Sequence, residues 1–266
     1  MSVYKKENPE YFSLALKSNL EDQTLLPTEM VLVCDGPLTE ELDAVIQQYS
    51  EKHPDVLNVY RLAENGGLGK ALNFGLEKCQ YEWVARSDSD DVCDCRRFEI
   101  QADYLTNHPD VDALGSWIDE FDTDWKEPSR TKTMPLSCEA IAKMAKTRNP
   151  INHMTAMFRK SVVLGIGSYW HLPYMEDYFL WVRLLCAGAK LENLDRVLVH
   201  ARVGNGMAAR RGNRAQISSR RELNRYMVQH GMLSRVEAAV NMVLIVGFTC
   251  CPNWVRKFVY DKVLRR

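Results

Sequence analysis

A chain of 266 residues, 46% hydrophobic and 26% charged, has the makeup of an ordinary globular protein with a sizeable core, which excludes a disordered or fibrous polypeptide. With 34 Lys and Arg against 35 Asp and Glu the net charge is −1, so no global field invites a polyanion and no nucleic-acid partner is expected.

In chain order, the first half alternates helix and strand signals. Asn8-Pro9-Glu10 supplies a cap, a first-turn proline and an acidic residue for a helix whose apolar face holds Phe12, Ala15, Leu16 and Leu20. Met30 to Cys34 is a continuous apolar run stopped by Asp35-Gly36-Pro37, the pattern of a strand buried on both faces. Thr39 caps a second helix carrying Leu42, Val45, Ile46 and Tyr49. Leu57 to Leu62 reads as a strand, Leu68 to Cys79 as a helix, and Glu82 to Arg86 as a strand running into Ser87-Asp88-Ser89-Asp90-Asp91. A helix from Arg96 to Leu105 and a strand from Val111 to Leu114 follow. Such βα alternation predicts an α/β fold with a mostly parallel central sheet flanked by helices. In open sheets ligands bind outside the carboxyl ends of the strands, where Asp35 and the Asp88–Asp91 cluster both fall.

The second half is less regular. Asn149 to Arg159 reads as a loop feeding a strand, Met175 to Ala187 as a helix, Leu194 to His200 as a strand and Arg214 to His230 as a polar helix. The apolar run Val236 to Cys251 contains Glu237 and Asn241 and falls short of the ~20 residues of a membrane span. Pro252, Trp254 and the basic tail Arg256, Lys257, Lys262, Arg265 and Arg266 suit an interfacial membrane contact, and equally a terminal helix packed on the domain. Met1 to Lys6 shows no signal-peptide pattern, and the 8 cysteines form no CxxC pair, so a reducing cytoplasm is expected.

Two constellations carry chemistry. Asp88, Asp90 and Asp91 put three carboxylates within four residues; their mutual repulsion is relieved by a hard divalent cation, Mg²⁺ or Mn²⁺, that keeps positions open for phosphate oxygens. Taken alone, a solvated acidic turn explains the string equally well. A calcium-binding helix–loop–helix starting at Asp88 fails, because Cys93 stands where glycine is needed and Val92 where an oxygen ligand is needed. A phosphate loop in Gly66-Gly67-Leu68-Gly69-Lys70 fails too, since Ala71 replaces the hydroxyl residue. Glu176-Asp177 opens an apolar helix, where the helix dipole favours acids; a carboxylate held there at a metal site can also take a proton from a hydroxyl.

Further strings fall in order around these: Ser2-Val3-Tyr4, Val31 to Gly36, Glu64 to Asn73, Arg86 to Asp91, Arg97 to Gln101, Asn152 to Arg159, Glu176 to Trp181, and Arg210-Arg211-Gly212. Over nearly the whole chain this series resembles the family 2 glycosyltransferases of GT-A fold, of the bacterial surface-polysaccharide type. Cys34 replaces the first aspartate of the family's Val-Asp-Asp-Gly segment, and Gly204 stands where some relatives place a metal-binding histidine.

The resemblance implies a GT-A catalytic domain over residues 1–212, with a C-terminal helical extension over 213–266. It implies an inverting, metal-dependent transfer from a nucleotide-diphosphate-sugar donor, UDP-linked, to a glycan or lipid-linked acceptor at the cytoplasmic side of a membrane. Asp177 is then the base, with Glu176 beside it. Tyr4, Asp35, Asn65, Gly66, Lys70, Asp88, Arg210 and Arg211 contact the donor, Asp88, Asp90 and Asp91 hold Mg²⁺ or Mn²⁺, and His153 orients the acceptor. A hydrogen-bonded structural histidine is the more frequent use of such a residue. The competing expectations are a silent nucleotide-sugar or glycan binder in a membrane assembly, and a sugar-phosphate nucleotidyltransferase, whose glycine-rich loop Tyr4 to Pro9 lacks.

Overall fold

Asn8 caps the first helix: its side chain accepts the N–H groups of Glu10 and Tyr11 in a computed structural model that describes residues 1–203 and 214–250. The first half builds β1 (Ser2–Val3), α1 (Pro9–Leu20), β2 (Met30–Cys34), α2 (Glu40–Lys52), β3 (Leu57–Arg61) and α3 (Leu68–Lys78). The three strands pair in parallel in the order β1-β2-β3, with Val3 opposite Cys34 and Cys34 opposite Arg61. All five residues of β2 are buried because helices cover both faces. Phe12, Leu16 and Leu20 of α1 with Leu42, Ile46 and Tyr49 of α2 cover one face, and Ala71 of α3 meets Val31 and Val33 on the other. Each such side chain contributes roughly 1.5–3 kcal/mol by leaving water.

The second half adds β4 (Trp83–Ala85), β5 (Val92–Cys93), α4 (Arg97–Asn107), β6 (Ala113–Phe121), β7 (Arg130–Lys132), α5 (Cys138–Ala145), a 3₁₀ turn (His153–Thr155), β8 (Met157–Arg159), α6 (Lys160–Gly165), α7 (Glu176–Cys186) and β9 (Leu191–Arg202). These strands form a second sheet in the order β4-β8-β6-β9-β5, with β7 on β6. This second sheet is mixed rather than mostly parallel. β6 and β9 run parallel because α5, α6 and α7 lie between them, whereas β8 returns antiparallel to both β4 and β6. β6 runs on to Phe121, beyond the Leu114 expected, because Ser116, Asp119 and Glu120 interrupt its apolar run without ending its pairing. The short β5, β7, α5 and α6 carry too few residues for a periodic signal, although Ser137 caps α5 by accepting the Ala140 N–H.

Helix α7 is buried over seven successive residues from Tyr178 to Leu184, so it sits at the centre of the molecule rather than on its surface. Trp181 is fully enclosed among Leu72, Ile151, Phe158 and Tyr169. Two further helices, α8 (Arg214–Gln229) and α9 (Arg235–Cys250), share their core with it: Leu223, Met227 and Leu233 pack against Tyr178, Phe179 and Val182. Arg220 donates to the Tyr178 hydroxyl at 3.1 Å and to Thr147 O at 2.9 Å, and Asn241 donates to Lys146 O at 2.8 Å. No helix among the described residues is long and apolar enough to cross a membrane. The six cysteines with described side chains are free thiols.

Candidate active site

A cavity of about 340 Å³ opens between the two sheets at the amino ends of β2 and β4, lined by Met30, Val31, Trp83, Val84, Phe98 and Met157 among others. It contains none of the carboxylates that the sequence singles out. Those gather at the opposite, carboxyl ends of the strands.

At the end of β2, Asp35 is 5% exposed, and both its oxygens are taken: the Gly66 N–H donates to Oδ1 at 2.7 Å and the Gly67 N–H to Oδ2 at 3.0 Å. Asn65 donates to Asp35 O at 3.0 Å. The contact is tight enough to demand glycine at 36, where φ is +84° and a Cβ would stand 2.6 Å from the Asn65 backbone nitrogen. The loop then turns into α3, whose first turn exposes Lys70 with its stem against Gly66. Gly69 in that turn faces Glu176; a Cβ there would lie 3.5 Å from Glu176 Cγ. Tyr4, past the end of β1, is 38% exposed, and its carbonyl accepts the Glu7 N–H.

Past the end of β4 the acidic loop is held from below by two buried arginines. Arg97, with no exposed surface, donates to Gln101 Oε1 at 3.0 Å, Ser87 Oγ at 3.2 Å and Arg86 O at 2.7 Å; Gln101 in turn donates to Thr155 O at 2.9 Å. The Arg97-x-x-x-Gln101 string is therefore a strut for the loop. Arg86 pairs with Asp88. Burial pushes the Asp88 carboxyl up, but the Arg86 guanidinium outweighs it and holds the group below its ordinary value. Asp90 is pushed up to about 7 by burial and by the charges of Asp88 and Glu7, and Asp91 is raised well above its ordinary value by burial, then by Asp88 and Asp90. Ser89 donates to Glu7 Oε2 at 2.6 Å, which ties the loop after β1 to the cluster.

The expected set Asp88, Asp90 and Asp91 does not form a preformed cage. Asp88 turns to Arg86, and Asp91 Oδ1 accepts the Arg202 N–H at 2.8 Å. Among the described residues no three His, Cys, Asp or Glu side chains converge as metal ligands. The donors nonetheless suit a hard divalent ion that takes one or two protein carboxylates and completes its shell with phosphate oxygens and water. Asp91 Oδ2 is buried without a hydrogen-bond partner, and Asp90 sits in an excess of negative charge.

Asp177 lies in the first turn of α7, half-buried, with Oδ2 accepting from Asn149 Nδ2 at 2.6 Å. Burial raises its pKa, opposed by the Tyr178 N–H and by Asn149 and seconded by the charge of Asp88, which is close enough to act on it. Glu176 is raised as well, by burial first. The turn into α7 places Tyr174 in the left-handed region at φ 66°, a strained conformation for a tyrosine next to two acidic groups. His153 is 8% exposed, with Nε2 at 2.9 Å from the Tyr169 hydroxyl; burial, then Arg86, lowers its pKa to about 3, so the ring is neutral.

Contacts and charge interactions thus link Asp35 to Gly66, Gly69 in the first turn of α3 to Glu176, and Asp88 to both Asp177 and Asp90. Arg210 and Arg211, like Gly204, lie outside the described residues. Arg86, Asn149, Tyr169 and Glu7 escaped the sequence reading. Arg86 stood inside a quoted motif, while Asn149 and Tyr169 are brought in from loops 28 and 8 residues away from Asp177 and carried no local signal. Such an arrangement can hold a cation and phosphate beside Asp88 and Asp90 and draw a proton to the carboxylate of Asp177.

The family described as Glycosyl transferase family 2 matches residues 1–165. The amylovoran biosynthesis glycosyltransferase AmsE of Erwinia amylovora is 40% identical over 262 residues, covering 98% of this chain and 97% of that one. The UDP-Gal:alpha-D-GlcNAc-diphosphoundecaprenol beta-1,3-galactosyltransferase of Escherichia coli is 34% identical over 268 residues, covering 100% and 95%. Among solved structures, the mannosyltransferase PcManGT of Pyrobaculum calidifontis, in complex with GDP-Man and Mn²⁺, superposes with a TM-score of 0.65 at 16% identity over 95% of this chain and 69% of its own, a likeness of fold.

Proposed function

Because the chain belongs to glycosyl transferase family 2 and has the GT-A fold, we propose that it transfers a sugar, with inversion, from a UDP-linked donor to a hydroxyl of a lipid-linked glycan in bacterial surface-polysaccharide biosynthesis. The observation that carries this reading is the meeting of the acidic groups: Asp177 lies within charge range of Asp88, and its neighbour Glu176 faces Gly69, in the helix turn that follows the Asp35–Gly66 platform. The 34% identical relative, whose name specifies UDP-Gal and a diphosphoundecaprenol acceptor, supports the choice of donor and acceptor class.

In this reading the nucleoside lies against Tyr4, Asp35 and Asn65, with Lys70 offsetting diphosphate charge. Arg210 and Arg211 are assigned the same task from sequence. Asp88 and Asp90, with Asp91 behind them, would hold Mg²⁺ or Mn²⁺, which supplies neutralising charge to the departing diphosphate. Asp177 accepts the acceptor hydroxyl's proton while the hydroxyl oxygen forms its bond to the anomeric carbon. The bond from that carbon to the diphosphate oxygen breaks on the opposite face, and nucleoside diphosphate leaves. His153, neutral and bonded to Tyr169, shapes the acceptor wall.

The test is release of nucleoside diphosphate from a panel of UDP-, GDP- and dTDP-sugars with Mn²⁺ and a lipid diphosphate-sugar acceptor. Release from a UDP-sugar, dependent on acceptor, is expected. Donor binding without any release would assign the chain to the silent binders instead.

A base whose pKa is raised works only when ionised, so activity should rise with pH through a value above the usual carboxylate range. Asn149 stabilises the ionised form. Asn149→Leu is therefore expected to move the acidic limb of the kcat profile upward by about one pH unit while leaving the plateau within a few-fold. An unmoved limb would separate Asn149 from the titrating group.

A further inference from the structure

Helix α9 has two unlike faces. One is packed: Asn241 is buried and bonded to Lys146 O, and Ala238 joins the core that α8 shares with α7. The other is apolar and open. Val236, Val240, Val243 and Leu244 are 74%, 52%, 72% and 64% exposed, at the i, i+4, i+7, i+8 spacing that lines up one stripe. Lone exposed apolar residues are ordinary, but an uninterrupted stripe of four marks a contact surface. Nothing charged breaks it: Glu237 bonds to the Ser234 N–H and reaches Lys146 at 3.6 Å, and Arg235 stands at the end of the stripe.

We propose that this stripe is the docking face for an anionic phospholipid bilayer. Two observations select that occupant. The first is width: a stable contact with a second protein copy buries about 800 Å² on each side through some 20–30 residues, far more than one row of four side chains offers. A bilayer interface accepts a single apolar helix face laid into its headgroup boundary. The second is charge. The sequence following α9, residues 251–266, carries Arg256, Lys257, Lys262, Arg265 and Arg266 against Asp261 alone, in a chain whose overall net charge is −1. Cationic charge is thus concentrated in the stretch of sequence that directly follows the stripe, as attraction to an anionic leaflet favours. The inference goes beyond the transfer reaction and survives a change of donor or acceptor.

The experiment is co-sedimentation of the full chain with vesicles of phosphatidylcholine and phosphatidylglycerol, and with phosphatidylcholine alone. Binding to the mixed vesicles is expected, weakened by salt and weaker on neutral ones. Val240→Glu with Val243→Glu should reduce vesicle partitioning ~10-fold or more without changing the melting temperature or the turnover of a water-soluble acceptor analogue. A gentler pair, Val240→Gln with Val243→Gln, gives the same reading should the acidic pair fold poorly. Equal partitioning of native protein and variants, or no binding to either vesicle, overturns the proposal. So does a native dimer that the variants convert to monomer without loss of vesicle binding, or a melting temperature that both pairs lower by several degrees, which would assign the stripe to packing within the chain.

Discussion

Asp177→Asn is expected to lower kcat for transfer by on the order of 10³-fold while leaving donor affinity within about twofold, because general-base catalysis is lost and nothing else is. The substitution is close to isosteric. An amide oxygen at 177 can still accept from Asn149, and the seven buried residues that follow hold α7 in place whatever the charge at its start. Removing a half-buried carboxylate whose pKa desolvation has raised relieves a desolvation cost, so the variant should melt at or above the native temperature at neutral pH. Nucleoside diphosphate release and calorimetric titration of the donor read the two quantities separately. Parallel loss of both would mean that Asp177 serves the donor site and not the acceptor, and full activity would remove it from the chemistry altogether.

Asp90→Ala is the second large effect. It should abolish the gain in donor affinity and turnover that Mn²⁺ confers, on the order of 10³-fold in kcat/KM, since metal stabilisation of a departing diphosphate is worth several kcal/mol. The same variant has a signature without substrate. Asp90 in the folded chain is pushed up to about 7 by burial, Asp88 and Glu7, above its unfolded value. Such a group leaves stability intact below its unfolded pKa and lowers it progressively as pH rises from there to the folded value. At pH 8 the native protein without metal therefore carries the full cost of burying this charge beside Asp88 and Glu7, up to about 4 kcal/mol from the shift of Asp90, and Asp90→Ala escapes most of it. Melting curves at pH 4 and pH 8 should show the variant gaining several degrees on the native chain only at the higher pH, and Mn²⁺ should restore the native chain alone. Equal stabilisation of both proteins by Mn²⁺ would move the ion to another site.

These effects depend on neighbours that differ greatly in how far the sequence foretells them. The cap at Asn8, the double-sided burial of Met30–Cys34 and the position of Asp35 and Asp88 past strand ends are local decisions. A side chain that satisfies N–H groups two and three residues on, or an unbroken apolar run, biases its own segment before any distant contact forms. That is why the order of elements in the first half, and the strings that carry the carboxylates, could be read directly. The C-terminal helix from Arg214 was legible for the same reason.

What each carboxylate touches was decided only by the tertiary structure. Whether Asp88 sits in a metal cage or against an arginine depends on Arg86, which Arg97 and Gln101 lock through bonds reaching Thr155. The poise of Asp177 depends on Asn149, delivered by a loop that has no periodicity. The mixed pairing of the second sheet follows from where each connection returns, and a three-residue strand such as β8 carries no record of its direction. Even the open stripe of α9 was invisible as such, because an apolar run has the same composition whether both of its faces are covered or one. Short-range free energies write the elements into the chain; the electrostatic state of the cleft is a sum over groups that only the folded backbone brings within reach of one another.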